Sequence, residues 1–194
     1  MVADVHQETI VTDPRELDDT QVDSQRAAEG RAASGHPDWS KLFAGLTEVQ
    51  RRDLREALAE HYAEEVSLAG KLVQHADGLR RYPDRRVQLL GIAAREEEHA
   101  RWLREALECL GGQASERVPT PPDPRTNWER LIGDSEDERT VSERLLRDAF
   151  RVARDQPELA RLLERIGEEE RQHYRQLVWL LAHFTDRVTV DAPP

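Results

Sequence analysis

From Thr47 onward, apolar residues return every three or four positions, the spacing that gathers side chains onto one face of an α-helix. A first long helix opens on Thr47-x-x-Gln50, which has the spacing of a capping box. It carries Leu54, Leu58, Leu68 and Leu72 and ends near Gly78. A second starts at Pro83 or Asp84, since proline is tolerated in a first turn. It runs through Leu89, Ile92, Leu103 and Leu107 and stops at Gly111-Gly112, a strong C-terminal signal. The Pro-rich stretch from Gln113 to Arg125 reads as an extended connection long enough to cross a bundle. A third helix has two competing starts, Thr126-x-x-Glu129 and Ser135-x-x-Glu138, and Gly133 between them marks either a bend or the true beginning. Asp155, Pro157 and Glu158 open a fourth, whose apolar face includes Leu159, Leu163, Ile166, Leu177 and Leu181. No segment keeps the period of two that a strand requires. The expected class is all-α: over residues 46–186, two helical hairpins joined by a long crossover linker into a four-helix bundle.

Residues 1–45 behave differently. They carry nine acidic and four basic side chains, several Gly, Ser and Pro, and no sustained apolar period. They are expected to form a mostly disordered acidic tail, with at most a short helix around Gln25–Ala33, and 187–194 a short C-terminal tail. In the whole chain of 194 residues, 28 Lys+Arg stand against 39 Asp+Glu, for a net charge of −11. That excess of acid argues against nucleic-acid partners and against an anionic membrane surface, because no basic surplus is present to displace counterions. The longest uninterrupted apolar run, Leu177 to Ala182, is far short of the ~20 residues a bilayer span needs. The first residues show neither the basic nor the apolar region of a secretory signal, so a cytoplasmic location is expected. A single cysteine, Cys109, rules out an intrachain disulfide framework, a Cys-based zinc cluster and a rubredoxin-type iron site.

The chemistry lies in two short motifs. Glu96-x-x-His99 sits in the second helix and Glu170-x-x-His173 in the fourth. A spacing of three places both side chains of each pair on one helical face, where they can grip one cation. With glutamate so frequent here, the motif alone is weak; its phase is what matters. Glu96 falls in the centre of the stripe formed by Leu89, Ile92, Ala100, Leu103 and Leu107, and Glu170 is equally central among Leu159, Leu163, Ile166, Leu177 and Leu181. An unpaired carboxylate in a bundle core costs on the order of several kcal/mol, so a compensating partner is required. Glu65 sits mid-stripe in the first helix and Glu138 in the third. An ungapped offset of 74 aligns Glu96 with Glu170 and His99 with His173, but it pairs Glu138 with Glu64 rather than Glu65. Glu64 is followed seven residues later by Lys71, which does not belong in a core, so Glu65 is preferred. Glu97, Glu98, Glu168 and Glu169 point elsewhere and read as solvated faces.

The chain is therefore a degenerate two-fold repeat, with four carboxylates and two imidazoles converging on one interior site. With these residues it resembles the rubrerythrin and ferritin-like superfamily of di-iron proteins over about residues 47–184. The resemblance implies a ferritin-like bundle in which Glu96 and Glu170 bridge two metals, His99 and His173 each bind one, and Glu65 and Glu138 are terminal ligands. It implies two Fe, with Mn possible, because oxygen-rich ligation with two imidazoles suits either ion. It further implies oxidation of Fe(II) coupled to reduction of O2 or hydrogen peroxide, as an oxidoreductase active against oxidative stress. Rubrerythrins with peroxidase activity usually add a four-cysteine rubredoxin domain, an extra Glu where Val141 stands here, and tyrosines where Leu72 and Leu145 stand. An electron donor, if the chain is catalytic, is then a separate protein or small reductant.

Two competing readings are an iron-binding or storage protein without turnover and a metal-free structural bundle in which each Glu–His pair is only a buried hydrogen bond. Glu138 would then be no more than the capping partner of Ser135. Among the remaining residues, His61 is expected at a bundle margin, His75 and His183 have no assigned role, and Cys109 reads as a core filler. Trp102 and Trp179 lie off the ligand stripes and read as packing or interface residues, which points to a homo-oligomer.

Overall fold

In the computed structural model the described residues are 38–115, 120, 122, 123 and 125–183. Within them the chain forms five helices: α1 (Trp39–Leu42), α2 (Glu48–Gly78), α3 (Pro83–Cys109), α4 (Asn127–Val152) and α5 (Pro157–Ala182). The proposed helix around Gln25–Ala33, the first 37 residues of the acidic tail and the C-terminal tail lie outside the described residues.

Each long helix begins and ends for a local reason. Thr47 caps α2 by accepting from the Gln50 amide while the Gln50 side chain accepts from the Thr47 amide, so two otherwise unpaired backbone donors are satisfied. Thr126 and Glu129 do the same for α4, which settles the choice between the two starts. Ser135 lies inside that helix and donates its hydroxyl back to the Ile132 carbonyl, so it caps nothing. Pro83 and Pro157 occupy first-turn positions in α3 and α5, where their missing N–H costs nothing. After Cys109, Gly111 turns the chain with φ 79°, and the Gly112 amide donates back to the Leu107 carbonyl at 3.0 Å. That reversal closes α3 in the left-handed geometry glycine adopts without strain.

The helices pack as two hairpins, α2 against α3 and α4 against α5. Contacts such as His61–Asp148 and His75–Asp134 show that α2 and α4 run antiparallel, and Arg95–Glu169 with Arg85–His183 shows the same for α3 and α5. Where α4 meets α5, the Ser142 hydroxyl reaches the Gly167 carbonyl at 2.7 Å. A Cβ on Gly167 would lie 2.9 Å from Leu146, so the crossing requires glycine.

Two apolar clusters fill the interior. One gathers Leu58, Leu103, Leu107, Leu145, Leu163 and Ile166; the other gathers Leu72, Leu79, Leu89, Ile92, Leu131 and Leu177. Each such side chain contributes roughly 1.5–3 kcal/mol when fully buried. The six candidate ligands separate the two clusters as a polar layer.

Two features differ from the sequence reading. Trp39 and Phe43 fall inside the segment read as tail, yet both are buried, stacked with centroids 5.6 Å apart and packed on the first cluster. Four helical residues are too few to show a period, and two aromatic rings anchor them without one. Cys109 is exposed rather than a core filler. It is the last residue of its helix, and Leu110 takes the buried place instead.

Candidate metal centre

The polar layer assembles from four helices at once. Glu65 comes from α2, Glu96 and His99 from α3, Glu138 from α4, and Glu170 and His173 from α5. Five of the six have no exposed surface, and His173 is 6% exposed. Glu64, the competitor of Glu65, points outward to pair with Arg144. The spacing of three in each Glu-x-x-His turns out as expected: His99 Nδ1 lies 3.3 Å from Glu96, and His173 Nδ1 lies 3.9 Å from Glu170. Each imidazole also reaches across the bundle. His99 Nδ1 is 2.9 Å from Glu170 and 3.5 Å from Glu65, while His173 Nδ1 is 2.6 Å from Glu96 and 3.6 Å from Glu138. The two rings lie nearly parallel with centroids 5.8 Å apart.

Two sets of four donor atoms result, each gathered within 4.8 Å. One set is Glu65, Glu96, His99 and Glu170; the other is Glu96, Glu138, Glu170 and His173. They share Glu96 and Glu170, so the arrangement offers two adjoining cation positions with two carboxylates common to both. A cluster of protein groups alone leaves this layer poorly satisfied. Both carboxylate oxygens of Glu65, Glu138 and Glu170, one of Glu96 and Nδ1 of His173 are buried without an aligned hydrogen-bond partner. Unsatisfied buried groups are rare because each costs about 1–3 kcal/mol, and here they face one another. Hard oxygen donors with two imidazole nitrogens match the preference of Fe(II) and Mn(II), so the donor set fits a pair of such ions.

Protons hold the layer together when cations do not. Burial, reinforced by the charge of Glu170, pushes the Glu65 carboxyl well above the usual carboxylate range. Burial and the contact with Glu170 do the same to Glu138. For His99, burial works to lower the pKa, but Glu169, Glu170, Glu65 and Glu96 surround it and raise it instead. His173 is raised against burial by Glu138, Glu170 and Glu96. Glu170 also overcomes its burial: its close neighbours Glu138, His173 and His99, with the positive charge of His99, bring it down. Two buried acids and two imidazolium rings thus occupy the space that divalent cations would neutralise.

One partner was not expected from the sequence. Glu169, read as a solvated residue, has its carboxylate 2.9 Å from His99 Nε2 and also binds Arg95 and Arg165. His99 donates Nε2–H to it, which leaves Nδ1 as the nitrogen aimed at the carboxylates. A signal for this pair does exist in the sequence. The offset of 74 makes Arg95 and Glu169 equivalent positions of the repeat, and a two-fold arrangement brings equivalent positions on α3 and α5 together. Opposite charges there mark a contact. Trp102, placed by its phase away from the ligands, is buried with its ring 5.5 Å from His99, and the guanidinium groups of Arg95 and Arg165 both pack over that ring. His61 and His75 are both buried as well. His61 meets Asp148, and His75 lies between Asp134 at 2.7 Å and Asp123 at 3.2 Å. His75 thereby ties α2 to α4 and to the crossover linker.

Among solved structures, the fold is similar to that of a bacterioferritin from Desulfovibrio desulfuricans, studied with its di-iron site in different catalytic states. The identity is 23%, with a TM-score of 0.62 over 72% of this chain and 84% of that one. It is also similar to BfrA from M. tuberculosis, at 21% identity and a TM-score of 0.58 over 67% of this chain and 83% of the other. No curated protein matches the sequence. Residues 56–181, which contain all six residues of the polar layer, match the Rubrerythrin family. Helices, motifs and match agree, and the chain belongs to the rubrerythrin family.

Proposed function

We propose that the chain is a non-haem di-iron protein that oxidises Fe(II) with reduction of O2 or hydrogen peroxide. The observation that carries this reading is the pair of four-residue donor sets sharing Glu96 and Glu170, buried and without aligned partners of their own. Glu96 and Glu170 would bridge the two cations, His99 and His173 would each hold one through Nδ1, and Glu65 and Glu138 would complete the two positions. Four carboxylates balance two divalent charges, which removes most of the penalty of burying either set alone. Two ferrous ions held there supply the two electrons that peroxide reduction needs.

The chain's own residues determine the rest of the environment. Leu72 and Leu145, fully buried in the apolar clusters on either side of the layer, help exclude bulk water from the interior. Glu169, steadied by Arg95 and Arg165, orients His99. Further turnover would draw electrons from a separate donor, since the single cysteine cannot form a rubredoxin-type centre in this chain. Phe150 and Trp179, which are 85% and 51% exposed, support a homo-oligomer. No helix among the described residues is long and apolar enough to cross a membrane.

The test is to add Fe(II) anaerobically and then O2 or hydrogen peroxide, following oxidant consumption with and without a reductant. Catalysis predicts one rapid phase limited by the bound iron and repeated consumption once reductant is supplied. Iron accumulating far beyond two per chain, with no repeated consumption, would replace this reading with storage. Absence of any oxidation by a folded, iron-loaded protein would overturn it.

A further inference from the structure

The two seams of the bundle are built differently. The seam between α2 and α4 is stitched along its length by charge pairs: His61–Asp148, Glu64–Arg144, Lys71–Asp137 and His75–Asp134. Above and below the polar layer, the two apolar clusters close the ends of the bundle to a hydrated ion. The seam between α3 and α5 instead contains an open cleft of about 710 Å³. Three glutamines line it, Gln88 from α3 and Gln172 and Gln176 from α5, and its inner wall includes His173. His173 is also the one ligand candidate with any exposed surface.

The lining suits a cation. Arg95 borders the cleft, but its charge is engaged by Glu169 and Glu98. Glutamine carbonyl oxygens are neutral hard donors that can replace part of a cation's water shell without holding it permanently. Gln172 and Gln176 stand one helical turn apart, so they offer successive donors along the same face. Gly91 lines the cleft, and a Cβ there would project into open space with nothing within 4 Å, so a large side chain at this position would narrow the cleft.

We propose that divalent cations reach the carboxylate layer through this α3–α5 cleft, passed by the three glutamines to the position held by His173, and that the position held by His99 fills afterwards. The proposal rests on the reading that the layer binds cations. It assigns an access function to residues outside the ligand set and an order of filling to two positions that the sequence repeat makes look equivalent. His99 lies behind Trp102 and Glu169, whose carboxylate lines the cleft and is taken up by His99 Nε2, whereas His173 itself lines the cleft.

The experiment uses the full-length, metal-free protein and Co(II), whose visible absorption reports ligation directly. Uptake and chelator-driven loss are timed in the parent, in Gly91→Leu and in Lys71→Met. Leucine at an exposed helical glycine raises helix propensity, so Gly91→Leu does not threaten the fold. The expected result is that Gly91→Leu slows uptake and loss by the same factor, tenfold or more, with final stoichiometry unchanged. Lys71→Met, which loosens the opposite seam, leaves both rates as they were. Parent-like rates in Gly91→Leu, or faster uptake in Lys71→Met, would overturn the route. A parent protein that binds no cobalt would overturn the metal site itself, and the route with it.

Discussion

Glu138 has no exposed surface, and neither of its carboxylate oxygens has an aligned hydrogen-bond partner. Such a residue destabilises the fold unless something outside the chain completes it. In metal-free protein, Glu138→Leu removes that burden while filling a similar volume, so it should raise stability by about 1–3 kcal/mol in urea unfolding. The same change should reduce retained metal. A loss of stability with metal content unchanged would mean that Glu138 is a structural hydrogen-bonding residue only. Much at this scale was readable beforehand, because burial of a carboxylate follows from helical phase. Phase separated Glu65 from Glu64 through the unsuitable Lys71 two turns along the Glu64 face, and the structure places Glu65 inside and Glu64 beside Arg144. Phase failed for Glu169, read as solvated, and did not show that Trp102, read as a packing or interface residue, packs beside His99. Their surroundings come from α3–α5 pairing, and a single helix carries no information about that. Cys109 escaped for a similar reason, since a residue at a helix end need not follow the phase of the helix behind it.

Helices two to five were legible from apolar period and from their caps, both of which are local properties. The start of α4 was not, because Thr126-x-x-Glu129 and Ser135-x-x-Glu138 carry the same spacing. The capping box formed by Thr126 and Glu129 distinguishes them, together with the burial of Ser135 inside the helix and its bond to the Ile132 carbonyl. Glu138 is thereby free to face the interior rather than cap a helix. The seams between elements were the least legible level. In the sequence His61 reads as a bundle-margin residue and His75 has no role, because their partners, Asp148 and Asp134, are more than fifty residues away. Only the two-fold repeat makes part of that information visible, as the Arg95–Glu169 pair shows.

At the scale of the whole molecule, binding of cations is an exchange against protons. Burial favours the protonated form of Glu65 and Glu138, and the surrounding carboxylates favour the imidazolium form of His99 and His173 against the opposing effect of burial. The imidazoles must lose a proton to present Nδ1 as a ligand, so affinity rises as pH rises. Titrating Co(II) into weakly buffered metal-free protein at neutral pH should release at least one proton for each histidine, and binding at pH 6 should be weaker than at pH 8. Proton release of zero with pH-independent affinity would contradict the assignment of His99 and His173. The central claim is that four helices bring six residues together around two cations. Elemental analysis after anaerobic Fe(II) loading and desalting, with the Glu96→Ala, Glu170→Ala double variant alongside, tests it most directly. The account predicts close to two irons per chain in the parent and almost none in the variant. No retained iron in either protein, with both equally folded, would show that the layer is a polar core and not a metal centre.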